Sequence, residues 1–223
     1  MPLKSIAIDG PAGAGKSTIA KRAANQLGYI YVDTGALYRA IGYYMSTHGK
    51  TTTSDCEVTP ELKNVKVELR FIDGAQRVFL NDEDVSEKIR TPQMSMHASN
   101  VSAIPSVRAF LFNLQRDIAK SNNIIMDGRD IGTVVLPNAD VKIFLTASST
   151  ARAKRRYDEH IQKGETVDFG KLLEEIELRD YNDSHREIAP LKKAEDAILI
   201  DTTEINLEDS IQLVINTITK KIG

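Results

Sequence analysis

A glycine-rich segment near the start of the chain has the residue types and spacing of a phosphate-binding loop. The sequence GPAGAGKS, residues 10–17, matches the pattern G-x-x-x-x-G-K-[ST] in full, after an apolar run and before a helical pattern over 17–27. Glycines let successive backbone N–H groups turn toward phosphate oxygens, and the following helix adds the positive end of its dipole. The lysine can bridge β- and γ-phosphates, and the serine hydroxyl can ligate Mg²⁺. A nucleoside triphosphate is therefore predicted to bind Gly10, Pro11, Ala12, Gly13, Ala14, Gly15, Lys16, Ser17 and Thr18, with Ser17 as the metal ligand.

A second polar segment, DGRD at residues 127–130, directly follows an apolar run at 124–126. It presents Asp127, Arg129 and Asp130 together at the end of a predicted buried strand. Two acids beside an arginine indicate a site for a molecule that is both anionic and polar. Asp127 has two interpretations, as a group that orients Mg²⁺ or the glycine-rich loop, and as a plain cap of the strand end.

Arginines recur at helical spacing late in the chain. Arg152, Arg155 and Arg156 stand at i, i+3 and i+4 of a helix predicted over 149–164, and Arg179, Asp183 and Arg186 stand at i, i+4 and i+7 of one over 169–186. The first set is equally compatible with a solvated basic face, and the second with a surface salt bridge. With their glycine-containing connector, the two helices predict a lid, residues 148–168, that carries arginines over bound phosphates.

Five short runs rich in isoleucine and valine predict the strands that must position these groups. They cover Ser5–Asp9, Tyr29–Val32, Ile124–Asp127, Val141–Thr146 and Ala197–Asp201. Helical patterns separate most of them, as in βαβ units, and a small or polar cluster follows each run. We therefore predict an α/β protein: a P-loop three-layer fold with a five-stranded parallel sheet, spanning residues 1–223 as one domain. The polar clusters would share the carboxyl edge of the sheet, where such sheets bind ligands.

One segment does not follow this alternation of apolar runs and helical patterns. Residues 65–85 alternate apolar and polar side chains with period two, and Asp73-Gly74 between the two halves is a hairpin signal. We predict a small antiparallel insertion, residues 63–92, in the acceptor-binding region.

Bulk composition excludes several classes of protein. The 223 residues are 41% hydrophobic and 27% charged, and the formal net charge of −2 gives no global attraction to nucleic acid or membranes. No apolar run approaches the roughly 18 residues that span a bilayer. We expect a cytoplasmic monomer whose partners are small molecules.

Three functional classes fit a triphosphate loop: a kinase for a small acceptor, a GTPase switch and an ATPase module that moves a macromolecule. The chain has neither the N-K-x-D nor the D-x-x-G motif typical of GTPases, and it is small for an ATPase machine. A small-acceptor kinase needs ligand-type residues at its other strand ends. Thr34 and Arg39 after the second run, and Arg129 and Asp130 after the third, meet that need.

Seven segments together resemble the bacterial cytidylate kinases of the nucleoside monophosphate kinase group. They are IDGPAGAGKST, DTGALYRA, EDVSEKIRT, VRAFL, DGRDIGTVVLPNADVKIFLTAS, ARAKRR and ELRDYNDSHREIAPL. The resemblance runs end to end and includes the insertion; Thr34 replaces a serine found in many relatives. It implies transfer of a phosphoryl group from ATP to CMP or dCMP, with Mg²⁺ as cofactor. Another small-acceptor P-loop kinase and a non-catalytic nucleotide switch remain the alternatives.

The resemblance also implies residue roles. The residues expected to contact cytosine are Thr34, Ser99, Arg108 and Asp130. Those expected to contact the ribose are Arg179 and Asp183. Those expected to bind the acceptor phosphate are Arg39, Arg129 and Arg186. The expected catalytic residues are Lys16 and Arg129, with the lid arginines Arg152, Arg155 and Arg156.

The chemistry of cytosine agrees with this assignment. Its amino group needs an acceptor, which Asp130 supplies, and its N3 and O2 need donors, which Arg108 supplies. Uracil would turn a carbonyl towards Asp130 and an N–H towards Arg108, and each buried group left unpaired costs about 1–3 kcal/mol. A structural Arg108, exposed on its helix, is the competing interpretation.

Overall fold

A five-stranded parallel sheet forms the centre of the computed structural model, which describes residues 2–223. With strands numbered in chain order, its members are β1 (Ser5–Asp9), β2 (Ile30–Asp33), β6 (Ile124–Gly128), β7 (Val141–Thr146) and β8 (Ile198–Asp201). The spatial order is β2-β6-β1-β7-β8. The five-stranded sheet predicted from the apolar runs is confirmed, and the predicted strand limits differ from the observed ones by one residue at most.

The register of the sheet decides which polar clusters meet. Asp9 at the end of β1 pairs with Gly128 of β6, and Asp33 at the end of β2 pairs with Asp127. Because all five strands run the same way, the glycine-rich loop and the DGRD segment begin side by side at one edge.

Helices cover both faces of the sheet. They are α1 (Lys16–Leu27), α2 (Thr34–Thr47), α3 (Asp55–Glu61), α4 (Pro92–Ser102), α5 (Pro105–Ser121), α6 (Ser149–Gln162), α7 (Phe169–His185) and α8 (Leu207–Ile222). Side chains alternate along each strand, so Ile6 and Ile8 pack toward α1 and α8 while Ala7 packs toward the opposite face. Within residues 2–223, none of these helices has the length and apolarity that crossing a membrane requires.

The predicted antiparallel insertion is a three-stranded sheet. It comprises β3 (Val67–Ile72), β4 (Ala75–Leu80) and β5 (Glu83–Asp84). The hairpin turn between β3 and β4 lies at Asp73 and Gly74, whose φ angles are 52° and 74°, as the dipeptide indicated. Val78 and Leu80 share one core with Leu37 and Ile41 of α2, so the inserted sheet rests directly on that helix.

The two late helices end slightly earlier than predicted. α6 stops at Gln162 because Gly164, with φ 76°, turns the chain, and α7 stops at His185, before the extended Arg186. Side-chain caps from Ser148 and Asp168 begin them.

Candidate functional site

The glycine-rich loop joins β1 to α1 in a conformation that only glycine allows at its first position. Gly10 has a φ of 150°, and a Cβ atom there would lie 1.9 Å from the carbonyl oxygen of Leu145. Gly13 and Gly15 have φ angles of 74° and 85°. These left-handed residues turn the backbone around a hollow, which is the geometry that anion-binding loops require.

Lys16 lies inside this loop. Its side chain is buried, and Nζ donates a hydrogen bond of 2.7 Å to the carbonyl oxygen of Pro11. Burial, and then the nearby charge of Arg129, hold the pKa of Lys16 well below its ordinary value. A bound polyphosphate would oppose both effects by supplying negative charge.

Asp127 connects the end of β6 to the same loop. Its carboxylate accepts hydrogen bonds from Ser17 Oγ at 2.7 Å and from the Tyr31 hydroxyl at 3.2 Å. Burial, and then repulsion from Asp33, raise the pKa of Asp127 to about 6. The side chain therefore reaches the loop, as one of its two sequence interpretations proposed.

A hydroxyl and a carboxylate held together are hard oxygen donors of the kind that suits Mg²⁺. Over residues 2–223 there is no group of three or more His, Cys, Asp or Glu side chains that could hold a metal. An ion at Ser17 and Asp127 would therefore need phosphate oxygens to complete its shell, which is usual for Mg²⁺ in nucleotide sites.

Beside the loop lies a cavity of about 320 Å³. Its wall includes six residues of the loop at 10–18 and all nine residues to which the sequence analysis gave acceptor contacts. The nine are Thr34, Arg39, Ser99, Arg108, Arg129, Asp130, Arg179, Asp183 and Arg186. They come from α2, α4, α5, α7 with the residue that follows it, and the segment after β6. The fold therefore assembles this wall from parts of the chain up to 152 positions apart, from Thr34 to Arg186.

Two buried carboxylates organise the arginines of the cavity. Asp130 pairs with Arg108 and, at 3.2 Å, with Arg186. Asp183 accepts hydrogen bonds from Arg129 at 2.9 Å and Ser99 at 2.8 Å. Arg179 lies 3.9 Å from the same carboxylate. Each acid thus faces two guanidinium groups, which leaves an excess of positive charge among largely buried side chains.

The excess of positive charge shifts the pKa values of groups in the cavity. Burial, and then repulsion from Arg129, lower the pKa of Arg179 to about 10. Burial alone disfavours the charge of Asp183, but Arg129 and Arg179 outweigh it and hold its pKa below the ordinary value. The Nε atoms of Arg179 and Arg39 are buried with no hydrogen-bond partner. Orphaned donors in a cationic cavity indicate an anion as the natural occupant.

Hydrogen bonds join residues for which the resemblance implied different roles. Arg186, expected beside the acceptor phosphate, donates to Asp130, expected at the cytosine, and also to Ser102 at 2.8 Å. Asp183, expected at the ribose, accepts from Arg129, expected at the acceptor phosphate. The residues expected at base, ribose and phosphate are therefore linked by hydrogen bonds to one another.

Asp9 is a site residue that sequence reasoning missed. Both carboxylate oxygens accept backbone hydrogen bonds of 2.7 Å, from the N–H groups of Ile131 and Gly132. Burial raises its pKa to about 6. Asp9 precedes the glycine-rich loop and fixes the segment that carries Arg129 and Asp130, so it connects the two halves of the site. Its position at the end of an apolar run was the one available signal.

Other supporting residues were also missed. Asp33 caps α2 through the N–H of Ala36 at 3.1 Å and binds Arg39 at 2.7 Å. The Tyr38 ring lies 5.8 Å below the Arg108 guanidinium. No spacing in the sequence marks these contacts, because they depend on how α2 meets the sheet.

The three lid arginines do not line the acceptor cavity. Arg152 is buried and donates to the carbonyl oxygens of Ala147 and Ala12 at 2.9 and 2.8 Å, and to Asp180 at 2.5 Å. It therefore braces the glycine-rich loop from behind, and it is no part of a solvated basic face.

Arg155 and Arg156 lie farther out on the same helix. Arg155 donates to the carbonyl oxygen of Thr202, and Arg156 lies 3.7 Å from Glu175. In this arrangement the end of β8 and α7 provide their partners, and the expectation that these arginines close over the transferring phosphates stays a prediction.

Comparisons with known proteins show the family and the fold. The cytidylate kinase family model matches residues 6–221. A cytidylate kinase of Caldicellulosiruptor bescii is 52% identical over 218 residues, covering 98% of this chain and 96% of its own. One of Leuconostoc mesenteroides subsp. mesenteroides is 50% identical, covering 98% and 97%. An uncharacterized protein of Eubacterium ventriosum, 14% identical, shares the fold with a TM-score of 0.53 and covers 97% of this chain and 99% of its own.

Proposed function

Because the chain belongs to the cytidylate kinase family, in which ATP donates a phosphoryl group to a nucleoside monophosphate, we propose that its acceptor is CMP, with dCMP as a second acceptor. The observation that carries the proposal is the buried pair of Asp130 and Arg108 in the wall of a cationic cavity. Together these side chains present an acceptor beside donors, which is the pattern that cytosine requires.

The base would lie between α2, α4 and α5. Asp130 accepts from the exocyclic amino group, and Arg108 donates to N3 and O2. Both residues are less than 10% exposed, so neither side chain can turn to water when uracil presents the wrong groups. The expected discrimination is about 1–3 kcal/mol for each unpaired group.

The sugar and phosphate would follow along the same network. Asp183 and Arg179 address the ribose, with Ser99 holding the Asp183 carboxylate in place. Arg39, Arg129 and Arg186 grip the acceptor phosphate. Arg39 and Arg129 both line the cavity, and a guanidinium group can bind two phosphate oxygens at once.

On the donor side, the glycine-rich loop would hold the ATP phosphates. Lys16 would leave the Pro11 carbonyl and bind the β- and γ-phosphates, and Arg152 would keep Ala12 in place. Ser17, oriented by Asp127, would hold Mg²⁺. That ion, when bound, neutralises charge on the triphosphate.

Transfer would proceed by direct in-line attack, since the acceptor needs no activation. The second pKa of a phosphate monoester is about 6, so at neutral pH its oxygen is already a nucleophile. In keeping with this, no histidine of residues 2–223 lines the cavity. The barrier is the repulsion of two anions, and the positive network lowers it by electrostatic stabilisation.

The decisive experiment is a panel of acceptors with ATP and Mg²⁺. The release of ADP is measured in a coupled assay with CMP, dCMP, UMP, AMP and no acceptor. We expect CMP and dCMP to support turnover, with UMP at least tenfold poorer in kcat/KM. Preference for AMP would identify another nucleoside monophosphate kinase. ADP release that ignores every acceptor would indicate a nucleotide switch.

A further inference from the structure

One amide side chain of the inserted sheet hydrogen-bonds to the main sheet. Gln76 on β4 reaches the end of β2, where its Oε1 accepts from the N–H of Asp33 at 2.8 Å and its Nε2 donates to the carbonyl oxygen of Asp33 at 3.2 Å. β2 is an outermost strand of the main sheet, so its outer edge has no neighbouring strand. A primary amide carries one acceptor and a donor group, and here it occupies the place of a residue in an adjacent strand.

The residue held in this way is itself in contact with the acceptor cavity. One oxygen of the Asp33 carboxylate caps α2, and the other accepts a hydrogen bond of 2.7 Å from Arg39. Burial disfavours the charge on Arg39, but Asp33 outweighs burial and raises the pKa of the guanidinium. A chain of hydrogen bonds therefore runs from Gln76, through the backbone and then the side chain of Asp33, to Arg39.

The Asp33–Arg39 pair has little room to rearrange. A Cβ atom on Gly35 would lie 3.1 Å from both Arg39 Nη1 and Asp33 Oδ1, so the pair lies tightly over that glycine. Arg39 Nε has no partner. The orientation of the guanidinium in the cavity thus depends on where the end of β2 is held.

We propose that Gln76 is a positioning residue for acceptor binding: through Asp33 it orients Arg39, and the inserted sheet thereby takes part in gripping the acceptor phosphate. The proposal rests on the proposed function, in which Arg39 binds that phosphate. Gln76 itself is absent from the wall of the acceptor cavity, so it acts only through its neighbours.

Gln76→Met tests this, because methionine keeps the length and packing of the side chain and removes both hydrogen bonds. We expect kcat/KM for the acceptor to fall about tenfold, the loss of two net hydrogen bonds, while the KM for ATP changes by less than about twofold. Gln76→Glu removes the donor and sets a carboxylate against the Asp33 carbonyl oxygen, so its effect should have the same direction.

A matched control lies in the same subdomain. Asn81 makes an equivalent two-point amide contact, accepting from the N–H of Lys66 at 2.7 Å and donating to the carbonyl oxygen of Asn64 at 3.0 Å, but it stays within the insertion. Its φ of 47° makes glycine the suitable replacement. Asn81→Gly should lower the melting temperature of the protein and leave kcat/KM for the acceptor within about twofold.

A double-mutant cycle separates positioning from general destabilisation. In an Arg39→Met background, Gln76→Met should reduce kcat/KM for the acceptor by less than about twofold, since its target is gone. An undiminished effect in that background, or a loss that Asn81→Gly reproduces, would overturn the proposal. Failure of the proposed function has a different signature, because the unmutated protein would then release no ADP in response to CMP.

Discussion

In the proposed function, the donor loop and the acceptor cavity bind the same chemical group, a phosphate, by opposite means. The loop is nine consecutive residues whose backbone, shaped by Gly10, Gly13 and Gly15, forms the cradle. The cavity beside it is built from side chains of five separate elements, held by the shared carboxylates Asp130 and Asp183. A backbone cradle recognises phosphate and little else. A side-chain network can also read a base, but each member depends on its partners.

The loop and the cavity also differ in how they carry positive charge. The loop contributes one buried cation, Lys16, with dipoles for the remainder. The cavity contributes four arginines on two acids, an arrangement that pre-orients the guanidinium groups before a ligand arrives. We therefore expect substitutions in the two regions to separate donor effects from acceptor effects.

The largest effect should follow removal of the donor-side cation. Lys16→Met deletes the charge that stabilises the transferring group, and we expect kcat to fall about 10³-fold. Calorimetric titration with CMP alone should give nearly unchanged affinity. Lys21→Met, an exposed lysine on the same helix, is the matched control and should retain full turnover. If CMP binding were lost as well, the two regions would not be separable.

The second-largest effect should follow removal of Arg129 on the acceptor side. Arg129→Ala should lower kcat about 10²-fold because two anions would meet with less neutralisation, while ATP affinity stays within about twofold. Steady-state kinetics with each substrate varied gives both values. Arg129→Lys keeps the charge but loses the fork that binds Asp183, so its turnover should be intermediate. Unchanged turnover in Arg129→Ala would remove Arg129 from the site.

Asp9 belongs to both regions, and its contribution should depend on pH. Burial raises its pKa from 3.8 to about 6, so between these values the folded protein holds the proton more tightly than the unfolded chain does. The stability that protonated Asp9 contributes is fully present below the pKa of Asp9 in the unfolded chain, and it is lost as pH rises through about 6.

The matched comparison is Asp9→Asn, which cannot titrate. The free energy of unfolding of the unmutated protein, minus that of the variant, should fall on the order of 2 kcal/mol between pH of about 4 and 7. Urea unfolding of both proteins at the two pH values measures it. A difference that is independent of pH would mean that burial does not raise the pKa of Asp9.

The smallest effect concerns the choice of base. Asp130→Asn keeps the shape of the side chain but offers an amide, so the ratio of kcat/KM for CMP to that for UMP should narrow about tenfold. Asp183→Asn is the control, because it should lower both values together and leave their ratio unchanged. An unaltered ratio in Asp130→Asn would show that cytosine is read elsewhere.

The sequence by itself determined the parts that depend on local pattern. Apolar runs with their period gave the five strands, Asp73-Gly74 gave the hairpin, and the spacing of the glycine-rich loop gave the phosphate site. The family resemblance added the residues of the cavity wall. The strands, the hairpin and the loop are recoverable because each is set by neighbours within a few positions in the chain.

Only the tertiary structure decided how the arginines are shared. Nothing local indicates that Arg186 joins Asp130, that Arg152 braces Ala12 from behind, or that Gln76 reaches Asp33. The physical reason is that a buried charge must find its partner wherever the packed elements bring one. That partner is fixed by the register of the sheet and the docking of helices, not by distance along the sequence.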